Sequence, residues 1–166
     1  PMTAALTIIR YSPDIKVEIE FYDKNDWNNI SKAEQNYHKL IEDAKRSACE
    51  ENKNSEGLFG FSKASAVLSE ITDQEALYMI GPNMPEEYRA SYELISMAKK
   101  NPDMNLYLGR TIEIKNVLSN SDLLKKISDY VGANGKFTPI VKSVVIYYND
   151  PRLEGYEIID TPGIND

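Results

Sequence analysis

Residues 15–22 read IKVEIEFY, and their strict alternation constrains the fold more than any other feature of the chain. Ile15, Val17, Ile19 and Phe21 fall on one face, and Lys16, Glu18 and Glu20 fall on the other. A period of two is the signature of an extended strand. One apolar and one charged face mean a sheet with one side against a core and the other in water. Residues 5–11, ALTIIRY, read as a second strand, and the turn SPD makes the two a hairpin. Strand 15–22 is therefore expected to lie outermost, antiparallel to 5–11.

The far end of the chain is also strand-like. PIVKSVVIYY and GYEIID are joined by NDPRLE, a connection short enough to make them antiparallel neighbours. The first strand should then run parallel to PIVKSVVIYY. Between the two strand pairs the period becomes helical. Ser31 with Glu34 forms a capping box ahead of Ala33, Tyr37, Leu40, Ile41, Ala44 and Ala48. EENKNSEGLFGFS breaks that helix. Val67, Leu68 and Ile71 mark a second helix, and Thr72 with Glu75 offers another start. Pro85 opens a helix with Tyr88, Tyr92, Ile95 and Ala98 on one face. SDLLKKISDYVG turns Leu123, Leu124, Ile127 and Val131 inward, with Gly132 just past its end. RTIEIKNVLS is either a strand or an extended connector. The order predicts an α+β fold: a mixed sheet of about four strands, with a large helical insertion over residues 24–136.

Charge and rare residues narrow the chemistry. A net charge of −7 disfavours nucleic acid and anionic membranes as direct partners. No apolar run approaches the ~18 residues of a membrane span. Cys49 and His38 are the only residues of their kinds. Internal disulfides, His/Cys zinc clusters and histidine triads are thereby excluded, and a reducing, cytoplasmic location fits best.

The stretch YEIIDTPGIND carries the chemical signal. An apolar strand delivers Asp160, and Gly163 follows on a turn. A carboxylate at a strand's carboxyl end, followed by a glycine amide that can approach a ligand, is how α/β sheets build phosphate and metal sites. D-T-P-G matches the guanine-nucleotide motif in which the aspartate holds magnesium through water and the glycine amide meets the terminal phosphate. The plain alternative is a strand-ending turn with Asp160 capping its own loop. Pro1-Met2-Thr3 at one end and this turn at the other give the expectation that the chain is a piece of a larger protein.

PMTAALTIIRYS followed by VEIEFYDKNDW resembles the segment after the phosphate loop in bacterial dynamin-like GTPases. There, Pro-x-Thr-Ala forms the first switch and leads into a strand. KFTPIVKSVVIYYNDPRLEGYEIIDTPGIND resembles that family's approach to its second switch. The resemblance covers residues 1–23 and 137–166 and is vague over the helical middle.

It implies that residues 1–166 are part of a GTPase domain, a fragment of an α/β P-loop fold running from the first switch to D-x-x-G. Thr3 would be catalytic and a magnesium ligand, its hydroxyl on the metal and its backbone fixing the attacking water. Asp160 would hold magnesium from the second shell, and Gly163 would sense the phosphate. The larger protein would be a nucleotide-binding hydrolase that uses GTP and Mg2+. Its partners would be the rest of the GTPase domain, a helical bundle, further copies of itself, and membrane lipids touched through parts absent here. It would be cytoplasmic or peripheral on the membrane's cytoplasmic face. The isolated chain would be inactive, with no cofactor bound.

Two motifs that the family needs are missing. No G-x-x-x-x-G-K-[ST] occurs. GANGKFT at 132–138 has the wrong glycine spacing, places Phe137 where Ser or Thr must bind metal, and reads as a helix cap and loop. DKND at 23–26 reads as a solvated turn, not a guanine selector. The eleven tyrosines, Phe59, Phe61 and Cys49 read as packing residues. The rival function is a non-enzymatic α+β interaction module in which D-T-P-G is only a turn.

Overall fold

The computed structural model describes residues 5–56, 71–101, 103–132 and 134–161, with residues 51–56 described by backbone alone. The elements are β1 (Leu6–Tyr11), β2 (Lys16–Phe21), α1 (Lys24–Glu56), α2 (Asp73–Ile80), α3 (Glu86–Ala98), α4 (Met104–Tyr107), β3 (Thr111–Ile114), α5 (Asn120–Val131), β4 (Val141–Tyr148) and β5 (Glu157–Asp160). The class is α+β. The chain divides into two units, one of Pro1–Asn29 with Glu93–Asp166 and one of Ile30–Tyr92. β3 and α5, both inside the span 24–136, lie in the first unit.

The first unit holds a mixed sheet of five strands, not four, in the order β3-β2-β4-β1-β5. The additional strand is β3, from RTIEIKNVLS. β1 runs parallel to β4, as expected, and every other pairing is antiparallel.

Two expected pairings are overturned. β2 is not outermost and does not pair with β1; it lies between β3 and β4. The alternation fixes which face of β2 is wet, but not which strands flank it. Val17, Ile19 and Phe21 are buried, while the charged face is satisfied within the sheet. There, Lys16 Nζ donates to Glu18 at 2.8 Å and to Glu113 at 3.2 Å, and Ser143 Oγ donates to Glu20 at 2.9 Å. An interior antiparallel strand can keep one face in water as readily as an edge strand. The second correction concerns β5, which pairs with β1, not β4. Both edges of β4 are occupied, by β2 and β1, so β5 passes beyond β1 to find a free ladder.

The core on one sheet face joins Phe21, Ile19, Val17, Val144, Ile140 and Val141 to Leu123 and Ile127 of α5. Ser119 caps α5 by accepting from the Asp122 amide at 3.2 Å. Val131 packs against the core, but Leu124, expected inward, is 66% exposed. It sits one residue, or about 100°, around the helix from buried Leu123.

α1 begins in the first unit, before the Ser31–Glu34 pair, because Asp23 Oδ1 accepts from the Asn25 and Asp26 amides at 2.7 and 2.8 Å. DKND is thus a helix start. α1 runs to Glu56, inside the stretch EENKNSEGLFGFS, whose residues from 57 on lie outside the described residues. In the second unit, Tyr37, Ile41, Ala76 and Met84 form the local core, and Tyr37 stacks on Tyr92 with ring centres 4.3 Å apart. The Thr72–Glu75 capping box is formed in both directions, at 3.3 and 2.8 Å. Tyr78, 90% exposed, departs from the packing expected of the tyrosines. Phe59, Phe61, Val67 and Leu68 lie outside the described residues.

Candidate functional site

Because β5 is antiparallel to β1, the start of β1 and the end of β5 meet at one edge of the sheet. Asp160 is the register partner of Thr7. Register partners share a face, so Asp160 continues the row Thr7, Val144, Ile19 and Ile112 across the sheet. Asp160 itself is exposed. Thr3 stands four residues before Thr7 in sequence, and Gly163 three after Asp160. Both lie outside the described residues, as does Pro162. An exposed carboxylate at a sheet edge is a hard oxygen donor of the kind magnesium accepts, and magnesium needs few protein ligands. Among the described residues no group of three or more His, Cys, Asp or Glu could hold a metal ion.

The approach to β5 is stiffened by a pair that the sequence reading missed. Asp150 accepts from the Arg152 amide at 3.0 Å, capping the turn Pro151–Leu153. Its carboxylate also takes Arg152 Nε at 3.0 Å and Nη2 at 2.6 Å. The guanidinium first, and the amide second, hold the Asp150 carboxyl down at about 2. Gly155 follows at φ +79°, a left-handed conformation natural to glycine. The signal was present in sequence as D-P-R-x-x-G, an acid and a base two residues apart around a turn-forming proline.

Beside this connection lies an apolar cleft of about 590 Å³. Ile9, Ile146, Leu123, Ile127, Leu153 and Ile158 line it, with Tyr148, Asn120, Asp150 and Arg152 also bordering it. On the opposite sheet face, the row Glu113–Glu18–Val145–Ile8–Ile159 turns from charged to apolar as it crosses towards β5. β1 and β5 thus carry isoleucine on both faces, between the Thr7–Asp160 and Arg10–Glu157 pairs. Ile158 is 52% exposed and Ile159 55% exposed.

Loop 132–138 is a helix cap, as its sequence implies. Gly132 N–H donates to Ser128 O, Gly135 N–H to Gly132 O, Phe137 N–H to Asp129 O and Thr138 N–H to Gly135 O. These amides are spent on the protein itself and cannot cradle a phosphate. A Cβ on Gly135 would lie 2.6 Å from Asp129 O, so the glycine serves packing.

No protein-family profile and no curated protein sequence matches the chain. Among solved structures it is similar to two of an oligomerised bacterial dynamin pair, described as giving a mechanism for long-range sensing and tethering of membranes. Identity is 18% in both, over 99% of this chain, with TM-scores of 0.46 and 0.44. The chain spans 15% and 18% of the length of those structures. Among the described residues no helix is long and apolar enough to cross a membrane.

Proposed function

We propose that residues 1–166 are the strip of a dynamin-like GTPase domain between its first switch and its D-x-x-G motif. The full-length protein would bind GTP with magnesium and hydrolyse it by in-line attack of a positioned water. Turnover would be coupled to self-association and membrane remodelling. The observation that carries this reading is the shared sheet edge: Asp160 ends β5 opposite Thr7 of β1. Four residues reach at most about 15 Å, so Thr3 has a short path from Thr7 to a metal near Asp160. The isoleucines on both faces of β1 and β5 also support the reading, because strands of a covered α/β sheet carry apolar residues on both faces.

In this mechanism Asp160 would hold magnesium through its water shell, Thr3 would hold the metal by its hydroxyl and the attacking water by its backbone, and the Gly163 amide would contact the terminal phosphate. Magnesium itself would neutralise charge developing on the phosphate oxygens. The apolar cleft favours a second reading, a non-enzymatic binding module. A G-x-x-x-x-G-K-[ST] encoded upstream of Pro1 decides between the two.

Titration calorimetry with GTP and magnesium tests the proposal. The 166-residue chain should give no measurable heat, since phosphate affinity comes chiefly from a phosphate loop and its lysine. The full-length protein should bind. Micromolar affinity in the 166-residue chain would show that the site is complete without that loop, against the proposal.

A further inference from the structure

A polar chain crosses the outer face of the sheet through all five strands. Glu113 on β3 accepts from Lys16 on β2 at 3.2 Å. The Lys16 ammonium lies 4.4 Å from the centre of the Tyr147 ring on β4, and the Tyr147 hydroxyl donates to Glu18 at 3.1 Å. Tyr147 is the register partner of Arg10 on β1. Arg10 Nε lies 2.6 Å from Glu157 Oε1 on β5. Most half-exposed ion pairs contribute little to stability, but this last link has an unusual setting.

β5 pairs with β1 alone, and all four of its residues are exposed. Its hydrophobic pattern cannot choose a register. Positions 158 and 159 are both isoleucine, on opposite faces and almost equally exposed, so a slip of one residue would exchange like for like. Such a slip would also turn Asp160 to the other face of the sheet. What distinguishes the observed register is Glu157 opposite Arg10. Arg10 Nε is shielded from solvent and makes no well-aligned hydrogen bond, so its close ion pair with Glu157 is the main compensation for its charge.

We propose that Arg10 is a positioning residue for Asp160: its pairing with Glu157 sets the register of β5 on β1, and so the face on which the carboxylate emerges. The functional weight of this rests on the magnesium role given to Asp160 above, whereas the register control does not. Glu157, foremost, and then Tyr147 hold the Arg10 guanidinium in its charged form.

A charge-swap cycle on the 166-residue chain tests it: Arg10→Glu, Glu157→Arg and the double exchange, with Arg10→Gln as the milder variant. Amide exchange of Glu157–Asp160 should speed up about two- to fivefold in each single variant, while β2 and β4 amides keep their rates. The cross-strand NOE between Thr7 and Asp160 should weaken in the single variants and return in the double. Unchanged β5 exchange in Arg10→Gln, or a double exchange that fails to restore the NOE, would overturn the proposal. Neither result bears on GTP binding, so failure here is separable from failure of the functional reading.

Discussion

β2 and β5 are made of similar material and end in opposite circumstances. Val17, Ile19 and Phe21 are at most 1% exposed, whereas Ile158 and Ile159 are more than half exposed. β2 alternates apolar with charged residues, so one core and one solvated face satisfy it completely. β5 sets two isoleucines side by side, which demands apolar cover on both faces and a partner along its outer edge. The far edge at β3 carries Glu113, which pairs at 2.8 Å with Lys115 just past the strand. That is how a sheet edge is protected from further pairing. The β3 edge thus presents paired charges, whereas β5 presents two exposed isoleucines, and Asp160 emerges beside them.

The comparison is easiest to break by truncating one isoleucine on each strand. Ile19→Ala should cost about 2–5 kcal/mol of folding stability, the range for a fully buried aliphatic side chain. Ile159→Ala should stay within about 0.5 kcal/mol, as surface substitutions do. Urea unfolding of both variants is the measurement. Equal losses would mean that β5 is covered and that the contrast is false.

A smaller effect sharpens the picture of how β5 is approached. Asp150 titrates at about 2 because Arg152 stabilises its charged form. A depressed folded-state value means that this contribution to stability is present above the ordinary carboxylate range, near 3.9, and is lost as pH falls towards 2. Carbon-detected NMR titration of Asp150 should give that low midpoint, and Arg152→Gln should raise it towards the ordinary range. An unmoved midpoint would show that the pair does not order the turn.

Much of this was legible in the chain. The alternation of 15–22 gave the buried face of β2 correctly, the Thr72–Glu75 cap formed, and GANGKFT proved to be a helix cap. Strand neighbours were not legible, because period-two patterning specifies a face and leaves the partner open. The Ser31–Glu34 pair misled because Asp23, a stronger competitor upstream, caps the helix first. For the site, D-T-P-G marked Asp160, but only the observed β1–β5 register brings it opposite Thr7. The Arg10–Glu157 contact joins residues at opposite ends of the chain, and no local pattern announces it.

The central claim concerns Asp160, and turnover tests it most directly. Asp160→Asn keeps the side chain's shape and removes its charge. In the full-length protein with saturating GTP and magnesium, the account predicts a fall in kcat of at least about a hundredfold, as when a group stabilising the transition state is removed, with circular dichroism unchanged. Hydrolysis at the wild-type rate in that variant would contradict it.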